Sequence, residues 1–78
     1  MKSIVIGLGY FGKIIKSKLE KKSNVEIITV DPYNINADYK SLDEINFTDG
    51  KWFVTSPAST HHSILIELFN KGVKDIWV

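Results

Sequence analysis

The sequence predicts an α/β domain built on a parallel sheet of about four strands, and three observations carry that reading. Short apolar runs rich in β-branched and aromatic residues recur at positions 3–6, 25–30, 52–55 and 75–78. Between them lie two stretches with apolar residues at helical spacing and one shorter stretch with a helix-start signature. Glycine, proline, Asn or Asp punctuates the junctions. Strands that alternate with helices imply parallel pairing through right-handed crossovers.

The first run, Ser3-Ile4-Val5-Ile6, is short, uncharged and bounded by glycine, as a buried strand should be. Phe11, Ile14, Ile15 and Leu19 then fall on one face of an amphipathic helix, with Lys13, Lys16, Lys18 and Glu20 turned to water. Ser23-Asn24 is expected to stop it. Residues 25–30 give the second strand, and Asp31-Pro32-Tyr33-Asn34 has turn chemistry. The stretch 35–50 is the least regular. Within it Ser41 and Glu44 stand three apart, as in a capping box, and predict a short helix through Leu42 and Ile45. Asp49-Gly50 is a turn. Trp52-Phe53-Val54-Thr55 is the third strand, broken by Ser56-Pro57-Ala58. Ser59 or Thr60 is placed to cap a second helix with apolar positions Ile64, Leu65, Leu68 and Phe69. Gly72 sits where a left-handed C-terminal glycine belongs. Asp75-Ile76-Trp77-Val78 starts a fourth strand. Trp52, Phe53 and Trp77 read as core and strand-packing residues.

The 78 residues make one domain at most, 1–78. A chain this short buries only roughly 60–65% of the surface its unfolded form exposes, so its stability should be marginal. The net charge is +1 and no basic stripe stands out, which gives no support for nucleic-acid binding. There is no cysteine, so disulfides and cysteine-based metal sites are excluded. No apolar run approaches the ~20 residues of a membrane span, and the N-terminus enters a strand-like run without the features of a signal peptide. A cytoplasmic location with no membrane partner is therefore expected.

Chemistry enters with Gly7-Leu8-Gly9-Tyr10-Phe11-Gly12. A Gly-x-Gly-x-x-Gly pattern alone is weak, but here it follows a predicted strand and precedes an amphipathic helix. An acid, Asp31, also ends the next strand, 19 positions after Gly12. Each part has a mechanical reason. Gly7 lets the chain turn sharply, Gly9 lets a pyrophosphate approach the backbone, and Gly12 lets the helix pack closely on the sheet. The free N–H groups of the first helical turn, around Tyr10, Phe11 and Lys13, face the phosphates with the positive end of the helix dipole. Asp31 would accept hydrogen bonds from ribose hydroxyls and repel a 2′-phosphate, which favours NAD over NADP. This is the signature of a Rossmann-like doubly wound parallel sheet, here truncated to about four strands. The plainer alternative is a tight strand–helix turn, with Asp31 a turn former before Pro32.

The segment from Val54 through Thr55, Ser56, Pro57, Ala58, Ser59, Thr60 and His61 is the second informative stretch. With the glycine loop, Asp31 and the closing Gly72-Val73-Lys74-Asp75-Ile76-Trp77-Val78, it resembles the nucleotide-binding domain of the glucose–fructose oxidoreductase / inositol dehydrogenase (Gfo/Idh/MocA) family. That family has a strand ending in Thr-Pro, a His four residues after the Pro, a helix, a Gly, and a strand running into Glu-Lys-Pro. Ser56 replaces the usual Thr, while Pro57 and His61 keep the spacing, and residues 39–45 resemble the family's short Leu-Glu-Glu-Leu helix.

The resemblance implies hydride transfer between nicotinamide and a carbon bearing a hydroxyl, on a sugar, cyclitol or sugar nucleotide. It also implies that Ser56, Pro57 and His61 line the nicotinamide half of a crevice flanked by the loops after the first and third strands. The sequence stops at Val78, before the family's Glu-Lys-Pro lysine and its C-terminal substrate domain. The expectation is thus cofactor binding without turnover, with no catalytic residue and no metal ligand in this chain. His61 is otherwise a helix-start residue packing on its loop, and His62 faces solvent. The rival reading is a free-standing or regulatory dinucleotide-binding module that works by association with another chain, with the apolar edge strand 75–78 available for pairing or self-association.

Overall fold

The computed structural model describes residues 2–22 and 24–78. Its elements are strand β1 (Lys2–Ile6), helix α1 (Tyr10–Glu20), strand β2 (Glu26–Val30), a single 3-10 turn (Leu42–Glu44), strand β3 (Lys51–Val54), helix α2 (Ala58–Lys71) and strand β4 (Ile76–Trp77). All four strands pair in parallel, in the order β2-β1-β3-β4. The protein is an α/β domain with an all-parallel sheet, as the sequence predicts.

Register explains the core. Ile4 pairs with Ile28 and Trp52, and Ile6 with Val30 and Val54. Aligned residues of a pleated sheet share a face, so these six side chains form one apolar layer. Leu42, Ile45, Leu68 and Val73 close it from outside, and all ten are buried in one cluster. Trp52 is fully buried, and its indole N–H donates to the Asp49 carbonyl at 3.1 Å. β2 and β4 lie on opposite sides of the β1–β3 pair. Right-handed crossovers therefore place α1 and α2 on opposite faces. Consistent with this, the cluster contains α2 residues and none from α1.

Several local expectations are corrected. Phe11 and Phe69 are 69% and 76% exposed rather than packed on the sheet. In α1 the buried residue is Gly12, and in α2 it is Leu68. Each neighbours the expected phenylalanine, and one residue turns a helix by about 100°. The N-cap of α2 is Pro57, not Ser59 or Thr60, and no side chain caps it. Thr60 instead turns its hydroxyl back onto the Pro57 carbonyl, at 2.7 Å. The Ser41–Glu44 signature yields only one 3-10 turn. Its carboxylate accepts from Lys40 N–H at 2.9 Å, one residue earlier than a capping box requires.

Trp77 is only half-buried, stacked on Phe53 with ring centroids 6.4 Å apart. The expected stop at Ser23-Asn24 is described only at Asn24, in the left-handed region at φ 65°, because Ser23 lies outside the described residues. Gly72 ends α2 as expected, at φ 95°, with its N–H on the Leu68 and Phe69 carbonyls. Among the described residues no helix is long and apolar enough to cross a membrane.

Candidate functional site

The carboxyl ends of β1, β2 and β3 open on one crevice of about 1090 Å³. Its position follows from topology. β1 and β3 are neighbours, and their onward connections leave in opposite directions, so the loops behind them part and leave a gap. Of the residues singled out in the sequence, Gly7, Gly9, Tyr10, Phe11, Asp31, Ser56, Pro57 and His61 all line this crevice. Gly12 does not, and stands behind the loop.

The three glycines have different reasons to be glycine. Gly7 has φ +94°, and a Cβ there would stand 2.8 Å from the backbone of Ser56, where the loops after β1 and β3 touch. At Gly12 a Cβ would lie 1.9 Å from the Gly7 carbonyl oxygen and 2.9 Å from Thr55 Oγ1. The close approach expected between helix and sheet is thus an approach of α1 to the glycine loop itself. Gly9 differs from both. Its φ is −73°, open to any residue, and a Cβ would meet nothing within 4 Å. Nothing in the fold demands a glycine there, and the space beside it is the crevice.

The loop is tied down from two sides. Toward β2, Gly7 N–H donates to the Val30 carbonyl at 2.7 Å and Leu8 N–H to Asp31 Oδ2 at 2.7 Å. The other carboxylate oxygen, Oδ1, accepts Tyr33 N–H at 2.8 Å. Toward β3, Thr55 N–H donates to the Ile6 carbonyl at 2.9 Å, and Thr55 Oγ1 reaches the Ile6 and Gly7 carbonyls at 2.9 and 2.8 Å. Thr55 is a site residue to which sequence reasoning gave a place in the third strand and in the segment that follows it, but no role. A small hydroxyl at the carboxyl end of the strand beside a glycine loop is the one signal that marks it.

α1 begins at the crevice. Its N-cap, Gly9, offers no side-chain cap, and the first turn carries no acid. The leading N–H groups of a helix have no intrahelical acceptor, so this end is electropositive and suited to an anion. The opposite wall is the Ser56–His61 loop. His61 Nε2 lies 2.7 Å from the Ser56 carbonyl and donates to it, because a carbonyl only accepts. Thr60 Oγ1 also bonds Ser56 Oγ at 2.8 Å. His61 is thereby a strut of its own loop.

The rim is aromatic. Tyr10, Phe11 and Tyr33 line the crevice with exposures of 77%, 69% and 96%, and Tyr10 meets Phe11 edge-on at 5.5 Å. Lys40, Ser41 and Asp43 also line it beside Asp31 and Tyr33; the sequence reading gave none of them a place in the site, with Ser41 read as a helix start and Tyr33 as part of a turn. Among the described residues no group of three or more His, Asp or Glu side chains is placed to hold a metal ion. Compared with protein-family profiles, curated proteins and solved structures, the chain matches none.

Proposed function

We propose that the chain holds a nicotinamide dinucleotide, NAD in preference to NADP, across the crevice at the carboxyl ends of β1, β2 and β3. In this reading the four strands are the core of a Rossmann-like doubly wound sheet. The observation that carries it is Gly9: the fold requires Gly7 and Gly12, but only a ligand against the backbone gives a reason for Gly9. The cradle a Cβ would fill, the uncapped start of α1 and the carboxylate at the end of β2 stand together. They fit a pyrophosphate with a ribose beside it.

Toward that cofactor the chain's residues have separate tasks. The N–H groups at the start of α1 receive the pyrophosphate. Asp31 faces the adenosine ribose and disfavours a 2′-phosphate. Ser56, Pro57 and His61 wall the nicotinamide side. Bound there, the cofactor supplies hydride transfer, and these residues bind and orient it. With the family resemblance of the sequence, the setting is an oxidoreductase acting on CH–OH groups of a sugar, cyclitol or sugar nucleotide. His61, with Nε2 engaged by Ser56, favours orientation over proton transfer.

Titration by calorimetry and thermal shift tests the reading. At a hundredfold excess over the dissociation constant a ligand stabilises by about 2.7 kcal/mol. For a domain of this size that raises Tm by roughly 10–20 °C. NAD should do this and NADP should do it less. No heat and no shift at millimolar NAD would sink the proposal.

A further inference from the structure

We infer that Asp31 is a positioning residue for the glycine loop, so that its removal disables the site for both nucleotides instead of exchanging NAD for NADP. The inference rests on the reading above and deepens it. The Asp31 carboxylate bridges two loops. Oδ2 takes the N–H of Leu8, between the first two glycines, and Oδ1 takes the N–H of Tyr33, in the turn after β2. Both bonds are short, at 2.7 and 2.8 Å, as bonds to an ionised acceptor are.

Two consequences follow. Leu8 N–H points at Asp31 and not at the crevice, so an anion must be received by the groups that follow it, at the start of α1. The loop's path out of β1 also depends on this carboxylate. Gly7 N–H on the Val30 carbonyl fixes the first residue, and Asp31 fixes the second, whose side chain is buried. A carboxylate oxygen has lone pairs for more than one donor, so Asp31 can hold Leu8 and a ribose hydroxyl together. Asparagine keeps one acceptor oxygen and turns an NH2 toward the other N–H, so it restores at most one of the two bonds.

The test uses the whole chain and has two parts. The first needs no ligand: amide hydrogen exchange followed by NMR, on wild type, Asp31→Ala, Asp31→Asn and the crevice control Asp43→Ala. Leu8 should exchange at least tenfold faster in Asp31→Ala and stay protected in Asp43→Ala. Equal Leu8 protection in wild type and Asp31→Ala overturns the inference. Asp31→Asn is the fallback if the alanine variant does not fold, and it should lose protection at Leu8, at Tyr33 or at both.

The second part compares ADP with 2′,3′-dideoxy-ADP, which lacks the ribose hydroxyls. A positioning role predicts that Asp31→Ala weakens dideoxy-ADP about tenfold or more and ADP by at least that factor, with NAD and NADP both weakened. If the variant weakens ADP and leaves dideoxy-ADP untouched, Asp31 acts only through the hydroxyls and the inference falls. Failure of wild type to bind any nucleotide would remove the proposed function, while the exchange measurement would still decide what Asp31 does to the loop.

Discussion

Replacing Gly12 with alanine tests the geometry of the glycine loop most directly. The new Cβ would lie 1.9 Å from the Gly7 carbonyl oxygen, whereas real Cβ contacts stay beyond 3.0 Å, so backbone must move by about 1 Å. Overpacking of that kind costs about 1–3 kcal/mol, and the upper end applies because the clash is with backbone. Displacing the Gly7 carbonyl also endangers its 2.8 Å bond from Thr55 Oγ1, worth about 1 kcal/mol. The better helix propensity of alanine offsets up to about 1 kcal/mol. The net loss is about 2–3 kcal/mol, against a total stability of about 4–12 kcal/mol for a chain of this length. Tm should fall by roughly 10–20 °C.

Gly9→Ala is the matched control. Nothing stands within 4 Å of its Cβ and φ is ordinary, so stability should change by less than about 0.5 kcal/mol. Nucleotide affinity should drop instead. Urea unfolding followed by circular dichroism separates the two variants. A Gly12→Ala protein as stable as wild type, or a Gly9→Ala protein as unstable as Gly12→Ala, would refute the argument.

The other expectations concern the clamp and the rim. Thr55→Val keeps the shape but leaves the Gly7 carbonyl without its hydroxyl donor, while Ile6 keeps the Thr55 N–H. Urea unfolding should show a loss of about 1–2 kcal/mol. Tyr33→Ala should weaken NAD about tenfold, the scale of one base–aromatic stack. Tyr33→Phe should not, and nicotinamide mononucleotide should bind both variants like wild type; a titration in which Tyr33→Ala matches wild type for NAD would exclude stacking by this ring.

Much of the fold was legible because it depends on local composition. Apolar β-branched runs gave the strands and their alternation with helices gave parallel pairing, whereas the neighbourhood of β1 and β3 was expected only under the doubly wound strand order. What failed was phase and partnership. Phe11 and Phe69 carry the same hydrophobic signal as their neighbours, but the face each helix buries is set by how closely it seats, which depends on Gly12 and Leu68. The cap of α2 was misplaced because Thr60 has two acceptors within reach, Ser56 Oγ and the Pro57 carbonyl, that only the folded turn creates.

In and behind the crevice wall, Gly7, Gly12 and Asp31 were recognisable from spacing. That Asp31 holds Leu8 was not, because 23 positions separate them and no local pattern links a carboxylate to one backbone N–H.

The two margins of the sheet are unlike. At the carboxyl end of β2 the outward groups are engaged: Tyr39 N–H bonds the Thr29 carbonyl, Asp31 N–H bonds the Tyr39 carbonyl, and Asp38 takes the Thr29 N–H. β4 is the outer strand on the other side, and beside it Trp77 lies half-exposed on Phe53. A sheet covered on part of one margin lengthens more readily at the other. Two copies that met along β4 would each cover the other's open edge and leave the partly covered β2 margins outermost, as a two-fold pair. Asp38 and Tyr39 cover the β2 margin together, so loss of the Asp38 carboxylate alone frees the Thr29 N–H and leaves both Tyr39 bonds in place.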